Sequence, residues 1–416
     1  MDENRNEMLP PVPAGPDEAP AWLAGVIGWA SARRATDLHF FPGEADAALW
    51  SRIDGELRET ARYSLAIHER LVARLKVLGR CTDYSGDPVQ EGRFQLNGRA
   101  AAGEARLSVV PTLRGDKAVV RLIGGVVGPM GLGELGFSEA LVARLRAAMD
   151  SPQGLILAIG PAGCGKSTTL YALLADLAAR SSGPVSMLTI EDPIERSLPC
   201  AAQIAADPAR GLTFAAGLRA LLRQDPEVIM IGEIRDAETA TTALQAALTG
   251  HRLLSSMHTL TPAEALVRLR QMGAPAYVIG SALAGVLNVR LVRLLCPDCR
   301  AAHEPTPEIL SMFPELNSGL RTQDPGLICD ASGCERCMGL GRIGRTGLGE
   351  WLEPTAATAA ALASAESAAT IAPTLSVGVG AREAALEMLR GGIIAPAELA
   401  RLAGLVTLSP RVEGQS

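Results

Sequence analysis

The sequence predicts an α/β fold with a largely parallel sheet, preceded by a smaller α+β domain. A glycine-rich loop at 160–168 lies between a strand-like apolar run and a helix-like run. Short apolar runs with helical stretches between them are typical of buried parallel strands; they are Leu155–Ile159, Val185–Ile190, Val228–Ile231 and Leu253–Ser256. Upstream, short alternating segments separated by turns indicate a domain of mixed helices and strands.

Composition divides the chain further. We expect a disordered tail at 1–20, the small domain at 21–123, a glycine-rich linker at 124–136 and the α/β domain at 137–416. In the small domain we expect helices at 24–34 and 68–78 and strands at 37–40, 47–50, 93–96, 105–110 and 118–122. In the large domain, 291–347 is turn-rich and holds the cysteine pairs, and 348–416 is expected to be helical.

Bulk charge gives no reason to expect a nucleic-acid partner. The 416 residues contain 39 Lys and Arg against 45 Asp and Glu, and aromatic residues make up only 3%. The N-terminus, Met1–Asn4, is polar and acidic, which is unlike a signal peptide. The longest uncharged apolar stretch, 274–289, is too short to predict a membrane span. We therefore expect a cytoplasmic protein.

The loop at 160–168 has the pattern G-x-x-x-x-G-K-S, which predicts a phosphate-binding loop. Its backbone N–H groups and the following helix N-terminus favour phosphate oxygens. Lys166 is expected to reach the β- and γ-phosphates, and Ser167 to offer its hydroxyl to Mg²⁺. The predicted nucleotide-binding residues are Gly160, Pro161, Ala162, Gly163, Cys164, Gly165, Lys166, Ser167 and Thr168. A phosphate loop after the first strand is an arrangement that RecA-like ATPases use.

Acidic residues and a histidine follow the three other predicted strands. Glu191 is our first choice for the carboxylate that deprotonates a water, and Glu195 the second. Glu233 ends the run Val228–Ile231 and Gly232, and it is predicted to hold Mg²⁺ through water. His258 follows the last strand and is predicted to sense the γ-phosphate. Taken alone, a histidine here is more often structural, and an acidic turn is often only solvated.

Taken together, these motifs resemble the secretion ATPase superfamily, and above all its type II secretion and type IV pilus assembly ATPases. The resemblance covers roughly residues 30–405 and rests on Thr189–Glu195, on 221–226, on 231–236 with its glycine-containing Walker B pair, and on 246–259. It implies a RecA-like P-loop ATPase domain preceded by a small PAS-like α+β domain. Compared with the family pattern, we expect a short form that lacks the long N-terminal extension.

The resemblance also implies a homo-hexameric ring that hydrolyses ATP with Mg²⁺ and works peripherally at the inner membrane with a membrane platform protein. Its small domain supplies arginines to the γ-phosphate, and the matching segments here contain Arg93 and Arg106. Guanidinium groups suit such a charge-stabilising role. Arg121 is a weaker third possibility, and each of the three is otherwise an ordinary strand arginine.

Two C-x-x-C pairs, Cys296 with Cys299 and Cys334 with Cys337, can supply four thiolates for Zn²⁺. Reduced cysteines without a metal would give the same sequence pattern. The family's assembly ATPases carry a similar tetracysteine knuckle, whereas the retraction ATPases that resemble them lack it. The pairs therefore favour secretion or pilus assembly over pilus retraction. The fold is also compatible with a RecA-like nucleic-acid translocase and with a non-catalytic assembly scaffold, and the sequence leaves open which export system is served.

Overall fold

The structure is a computed structural model that describes residues 8–81, 88–98, 101–123, 131–318, 327–364 and 367–402. The chain divides into two compact units, Met1–Gly128 and Pro129–Ser416. Within the described ranges, no helix is both long enough and apolar enough to cross a membrane.

The first unit is built on a six-stranded antiparallel sheet. Its described helices are α1 (Ala19–Ala32) and α2 (Leu65–Gly79). Its described strands are β1 (Ala35–Pro42), β2 (Asp46–Ile53), β3 (Glu56–Ser64), β4 (Gln90–Gly98), β5 (Ala101–Thr112) and β6 (Gly115–Ile123). The strands lie in the order β3-β2-β1-β6-β5-β4.

Local sequence explains how this unit folds. Asp54 and Gly55 both take left-handed backbone angles, with φ of 50° and 85°, and this two-residue turn joins β2 to β3. Leu38 and Phe40 of β1 are fully buried in the apolar core with residues of α1 and α2. Because side chains alternate along a strand, His39 lies on the opposite face of the sheet.

The first unit differs from the sequence-based expectation in two places. The described part of the expected disordered tail, from Met8, is ordered, because the Trp22 indole N–H donates to the Pro10 carbonyl at 3.0 Å and a 3₁₀ turn at Pro16–Glu18 leads into α1. Residues 1–7 of that tail lie outside the described residues. The strand β3 was not predicted, because charged residues obscure its alternation.

The second unit is an α/β domain around an eight-stranded sheet. Its described helices are α3 (Glu139–Asp150), α4 (Lys166–Arg180), α5 (Phe214–Leu221), α6 (Ala237–Leu248), α7 (Pro262–Gln271), α8 (Ala276–Ala282), α9 (Pro307–Met312), α10 (Glu315–Ser318), α11 (Ala356–Ser364), α12 (Ala368–Ile371), α13 (Ala381–Arg390) and α14 (Pro396–Leu402). Its described strands are β7 (Gly154–Ile159), β8 (Met187–Glu191), β9 (Ala202–Ala205), β10 (Val228–Ile231), β11 (Arg252–Met257), β12 (Leu283–Leu295), β13 (Arg300–His303), β14 (Ile328–Ala331), β15 (Arg342–Glu353) and β16 (Ser376–Val379).

The main sheet runs in the order β16-β15-β12-β7-β11-β10-β8-β9, and β13 pairs with β14 in a separate two-stranded sheet. The six strands from β12 to β9 are parallel to their neighbours, whereas β15 and β16 are antiparallel additions. All of β7 is buried: Leu155 and Leu157 join one core cluster, and Ile156 and Ala158 join another. Helices on both faces thus explain why this strand is continuously apolar in sequence.

Three boundaries in the second unit differ from the predictions. Within the predicted linker, Leu132 and Leu135 are buried in a core of the second unit at 1% and 7% exposure, while residues 124–130 lie outside the described residues. The predicted knuckle at 291–347 is too wide, because β12 extends to Leu295 and pairs with β15 from Arg342. The region 348–416 is not wholly helical, since it contains half of β15 and all of β16.

Candidate nucleotide site and cysteine cluster

The loop between β7 and α4 has the geometry of a phosphate-binding loop. Gly163 and Gly165 adopt left-handed φ angles of 71° and 100°, which turn the backbone into the first turn of α4. The Lys166 ammonium is buried and donates to the carbonyls of Gly160, at 2.8 Å, and Pro161, at 3.0 Å. Burial lowers the pKa of Lys166 from its ordinary value. The loop therefore holds its cation at the start of a 15-residue helix, where anions are favoured.

His258 connects this lysine to the acid after β10. Its Nδ1 lies 3.2 Å from the Lys166 Nζ, and its Nε2 lies 3.6 Å from a carboxylate oxygen of Glu233. Since the ammonium has only protons to donate, Nδ1 accepts and the ring proton sits on Nε2, towards Glu233. Burial lowers the pKa of His258, and the Lys166 charge lowers it further. The imidazole is therefore neutral at pH 7 and can report charge changes on both neighbours.

Arg235 extends the chain of polar contacts to the turn after β8. Its Nε donates to Glu233 at 2.8 Å, and its Nη1 lies 3.9 Å from Asp192. The ends of β7, β8, β10 and β11 thus meet in one continuous cluster, as expected at the carboxyl edge of a parallel sheet. The Glu233 side chain is 15% exposed, so this carboxylate has access to solvent.

Glu191 lies at the same edge but points into the protein. It is buried, and its two carboxylate oxygens accept from three side chains. Tyr171 donates to Oε2, while Thr189, at 2.5 Å, and Gln203, at 3.0 Å, donate to Oε1. The backbone N–H of Glu195, our second choice for the base, donates to the Tyr171 hydroxyl at 3.4 Å. Glu191 therefore braces the turn after β8 in this conformation.

The predicted arginines form a row across three strands of the first unit. Arg93 pairs in register with Arg106, and Arg106 with Arg121, so all three project from one face. They line a groove of about 450 Å³ with Glu91 and Ser108.

The outer members of the row have acidic neighbours. Arg121 bonds to Asp37 at 2.9 Å, and Arg93 lies 3.7 Å from Glu104. In the described part of the chain, the Arg106 Nε is buried without a hydrogen-bond partner. This unpaired donor distinguishes the central arginine from the two outer members of the row.

The four predicted metal-binding cysteines cluster in the insertion between β12 and β15. All four sulfurs lie within 4.8 Å of one another. Cys296 and Cys334 are 3.8 Å apart, as are Cys299 and Cys337, and Cys334 lies 3.7 Å from Cys337. Zn–S bonds of about 2.3 Å give a tetrahedron with sulfurs roughly 3.8 Å apart. The donor set and its spacing therefore fit zinc.

Backbone donors orient the cluster further. The amides of Cys334, at 3.0 Å, and Gly341, at 3.1 Å, donate to the Cys337 sulfur. Such donors stabilise thiolate charge around a metal. Arg336 and Asp298, one from each C-x-x-C turn, form an ion pair at 2.7 Å that ties the two turns together.

Comparison with protein families agrees with this geometry. Residues 20–401 match the family model described as type II/IV secretion system protein. The chain belongs to this family. The phosphate loop, the polar cluster and the cysteine cluster all lie inside the matched region.

Curated relatives of this secretion-family chain include the type II secretion system ATPase E of Vibrio cholerae serotype O1, 39% identical over 338 residues. That alignment covers 81% of this chain and 66% of the relative, so the chain spans just under two thirds of that protein. The type IV pilus assembly ATPase PilB of Thermus thermophilus is 37% identical over 344 residues, which cover 82% of this chain and 38% of the relative.

Solved structures show the same fold as this secretion-family chain. The ATPase DotB of Legionella pneumophila superposes with a TM-score of 0.68 at 20% identity, over 95% of this chain and 98% of that one. The pilus retraction motor PilT, solved with bound ADP, gives a TM-score of 0.58 at 22% identity, over 94% and 97%. The RecA-like class predicted from the sequence, with its small α+β domain, is confirmed.

Sequence reasoning placed the loop lysine, Glu233 and His258 in one cluster, but it missed residues that hold the site together. Tyr171 and Gln203, which bond to Glu191, carried no motif signal. A buried arginine, Arg290, lies beside the phosphate loop and was also missed. The available signal was weak: Arg290 is one of two arginines in a mainly apolar strand, two residues after Asn288.

Proposed function

We propose that this chain is a Mg²⁺-dependent ATPase that works as a hexameric ring motor, powering type II secretion or type IV pilus assembly at the cytoplasmic membrane. The observation that carries the proposal is the contact chain from Lys166 through His258 to Glu233 at the end of the phosphate loop. The names of the curated relatives support the choice of secretion or pilus assembly. The cysteine cluster supports it over retraction, as the family resemblance implies.

In this proposal the loop amides and the N-terminus of α4 bind the triphosphate, and Lys166 turns from its carbonyl partners to the β- and γ-phosphates. Ser167 would offer its hydroxyl to Mg²⁺ and Glu233 would hold the ion through water; both residues are oxygen donors, which this ion prefers. When bound, the ion neutralises phosphate charge. His258 stays neutral beside Lys166 and senses the change in charge that follows hydrolysis.

Two carboxylates are candidates for the group that orients the attacking water. Glu191 was the first choice, but its oxygens are already occupied by Tyr171, Thr189 and Gln203 inside the fold. Glu233 has access to solvent and faces His258. We therefore assign the water to Glu233, whose bond to Arg235 holds the carboxylate in place. Arg93 and Arg106 supply positive charge to the terminal phosphate as it is transferred.

We further propose that the four clustered cysteines hold one Zn²⁺ that shapes the insertion between β12 and β15. The proposed partners are other copies of this chain and an inner-membrane platform protein. The resemblance, and not a contact in the structure, supports those partners.

The test is ATP turnover by the purified chain with Mg²⁺. Wild type is expected to hydrolyse ATP, Lys166→Ala to lose nucleotide binding, and Glu233→Gln to bind ATP but turn over about 10²- to 10⁴-fold more slowly. Lys76→Ala, which removes a lysine paired with Asp116 in the first unit, is the matched control and is expected to leave turnover unchanged. Wild-type turnover equal to that of Lys166→Ala would refute the proposal.

A further inference from the structure

Arg290 is a buried cation at the base of the phosphate loop. It lies on β12, the strand beside β7, and is 3% exposed. Its Nη1 donates to the Val289 carbonyl at 3.0 Å, and its Nη2 donates to the Leu260 carbonyl. A Cβ placed on Gly160 would lie 2.7 Å from Nη1, so the guanidinium packs against the first glycine of the loop. One side chain thus contacts both the phosphate loop and the segment after β11.

The segment after β11 is held from two sides. The Leu260 N–H donates to the Glu264 carboxylate at 2.9 Å, and the Leu260 carbonyl accepts from Arg290. His258 lies only two residues earlier, with its Nδ1 3.2 Å from the Lys166 ammonium. Anchoring the backbone of Leu260 at both its N–H and its carbonyl leaves the nearby histidine little freedom to move relative to Lys166.

The presence of the charged Arg290 side chain at a buried position has to be explained. Burying a guanidinium is costly unless its donors are satisfied, and an apolar side chain of similar length would fill the same space more easily. Burial lowers the pKa of Arg290, while the nearby Cys164 thiol and Glu350 oppose that shift. Arginine nevertheless remains charged in proteins, and its planar fork can bond two carbonyls at once. Arg290 bonds to two carbonyls in this way, and the two carbonyls belong to different segments of the chain.

We propose that Arg290 is a positioning residue for nucleotide hydrolysis: it anchors the Leu260 carbonyl and thereby holds His258 against Lys166. This inference rests on the proposed ATPase function. In this proposal Arg290 acts on the reaction through His258. Loss of Arg290 therefore lowers turnover only as long as His258 is present to be misplaced.

The experiment is a double-mutant cycle on the full chain, with Arg290→Met and His258→Ala made singly and together. ATP turnover at saturation, nucleotide affinity and melting temperature are measured for each. Arg290→Met is expected to lower kcat on the order of 100-fold, as a small misplacement of a site group does, with nucleotide affinity within about threefold of wild type. In the His258→Ala background the same substitution is expected to change kcat by less than about threefold, because residues that act as one unit are not additive.

Two further variants separate positioning from general stability. Arg293→Met removes a cation three residues along the same strand, 3.7 Å from the buried Glu398, and is expected to lower the melting temperature without changing kcat. Arg290→Lys keeps the charge but offers no fork, so its kcat is expected to lie between those of wild type and Arg290→Met. If Arg290→Met does not fold, the cycle is run with Arg290→Lys.

Equal fold-losses with and without His258 would overturn the inference, as would an Arg290 effect confined to KM or melting temperature. A wild-type chain without turnover would refute the proposed function instead. In that case the His258 imidazole signal, assigned in NMR spectra by comparison with His258→Ala, still tests the inference. A changed signal in Arg290→Met supports the anchoring of His258, and an unchanged signal overturns it.

Discussion

Removing the hydroxyl of Tyr171 is the sharpest test of how the turn after β8 is held. Tyr171 is buried on α4, and burial together with the adjacent Glu191 raises its pKa above the ordinary value, so the hydroxyl stays protonated and donates. It is the one hydrogen-bond donor to Glu191 Oε2 found within the described ranges, because Thr189 and Gln203 both donate to Oε1. Tyr171→Phe therefore leaves a buried carboxylate oxygen without a partner.

The expected loss follows from this geometry. A hydrogen bond to a charged group contributes about 1.5–3 kcal/mol, and the substitution also removes the acceptor for the Glu195 N–H. We expect the free energy of unfolding to fall by roughly 2–3 kcal/mol for Tyr171→Phe. Equilibrium unfolding in urea, followed by fluorescence and circular dichroism, measures this change.

Tyr63→Phe is the matched control, because its hydroxyl is buried and has no hydrogen-bond partner among the residues that the structure describes. Removing an unpaired polar group is expected to leave stability unchanged or slightly raised. A Tyr171→Phe loss below about 0.5 kcal/mol, or equal losses for both variants, would refute the argument that Glu191 depends on Tyr171.

Three other outcomes follow from the packing and the cysteine cluster. The chain purified under reducing conditions is expected to contain one zinc per molecule by elemental analysis, and Cys337→Ser to contain much less; an equal zinc content in both would contradict the knuckle. Gly217→Ala is expected to destabilise the chain by about 1–3 kcal/mol, because its Cβ would lie 1.9 Å from Ile190 Cδ1 in a packed core. Gly28 lies within α1, and nothing lies within 4 Å of the carbon that Gly28→Ala would add, so this variant is expected to stabilise the chain by about 0.5–1 kcal/mol. A loss of stability in Gly28→Ala would show that the space around the added carbon does not explain the difference between the two variants. Thermal and urea unfolding measure both glycine variants.

The strand ends that meet at the candidate nucleotide site were predictable from local sequence. Strands buried on both faces, such as Leu155–Ile159, appear as continuous apolar runs, and parallel strands place their carboxyl ends together. The contacts that fix the site were not predictable in this way. Tyr171 meets Glu191 across 20 residues, and Arg290 meets Leu260 across 30. No local periodicity marks either pair, because each depends on how distant elements pack.

The boundaries between elements and the register of paired strands were harder to predict, for different reasons. The apolar stretch at 274–289 contains the end of one helix and the start of a strand, since α8 ends at Ala282 and β12 begins at Leu283. Gly280 and Gly285 lie on either side of that junction, but Ala282 and Leu283 are themselves apolar, so the sequence did not mark where the helix ends and the strand begins. The alignment of Arg93, Arg106 and Arg121 in one row depends on the register of the paired strands. A shift of one residue in that register would move an arginine to the opposite face of the sheet, and local sequence does not fix the register.

The most direct test of the central claim is single-turnover ATP hydrolysis by a variant that lacks both Arg93 and Arg106. This double alanine variant is expected to bind ATP through the phosphate loop but to cleave it about 10³-fold or more slowly than wild type. Arg114→Ala, an exposed arginine of the same unit paired with Glu44, is the control and is expected to cleave ATP at the wild-type rate. Cleavage by the double variant within about twofold of wild type would contradict the account, since the guanidinium groups would then contribute nothing to phosphoryl transfer.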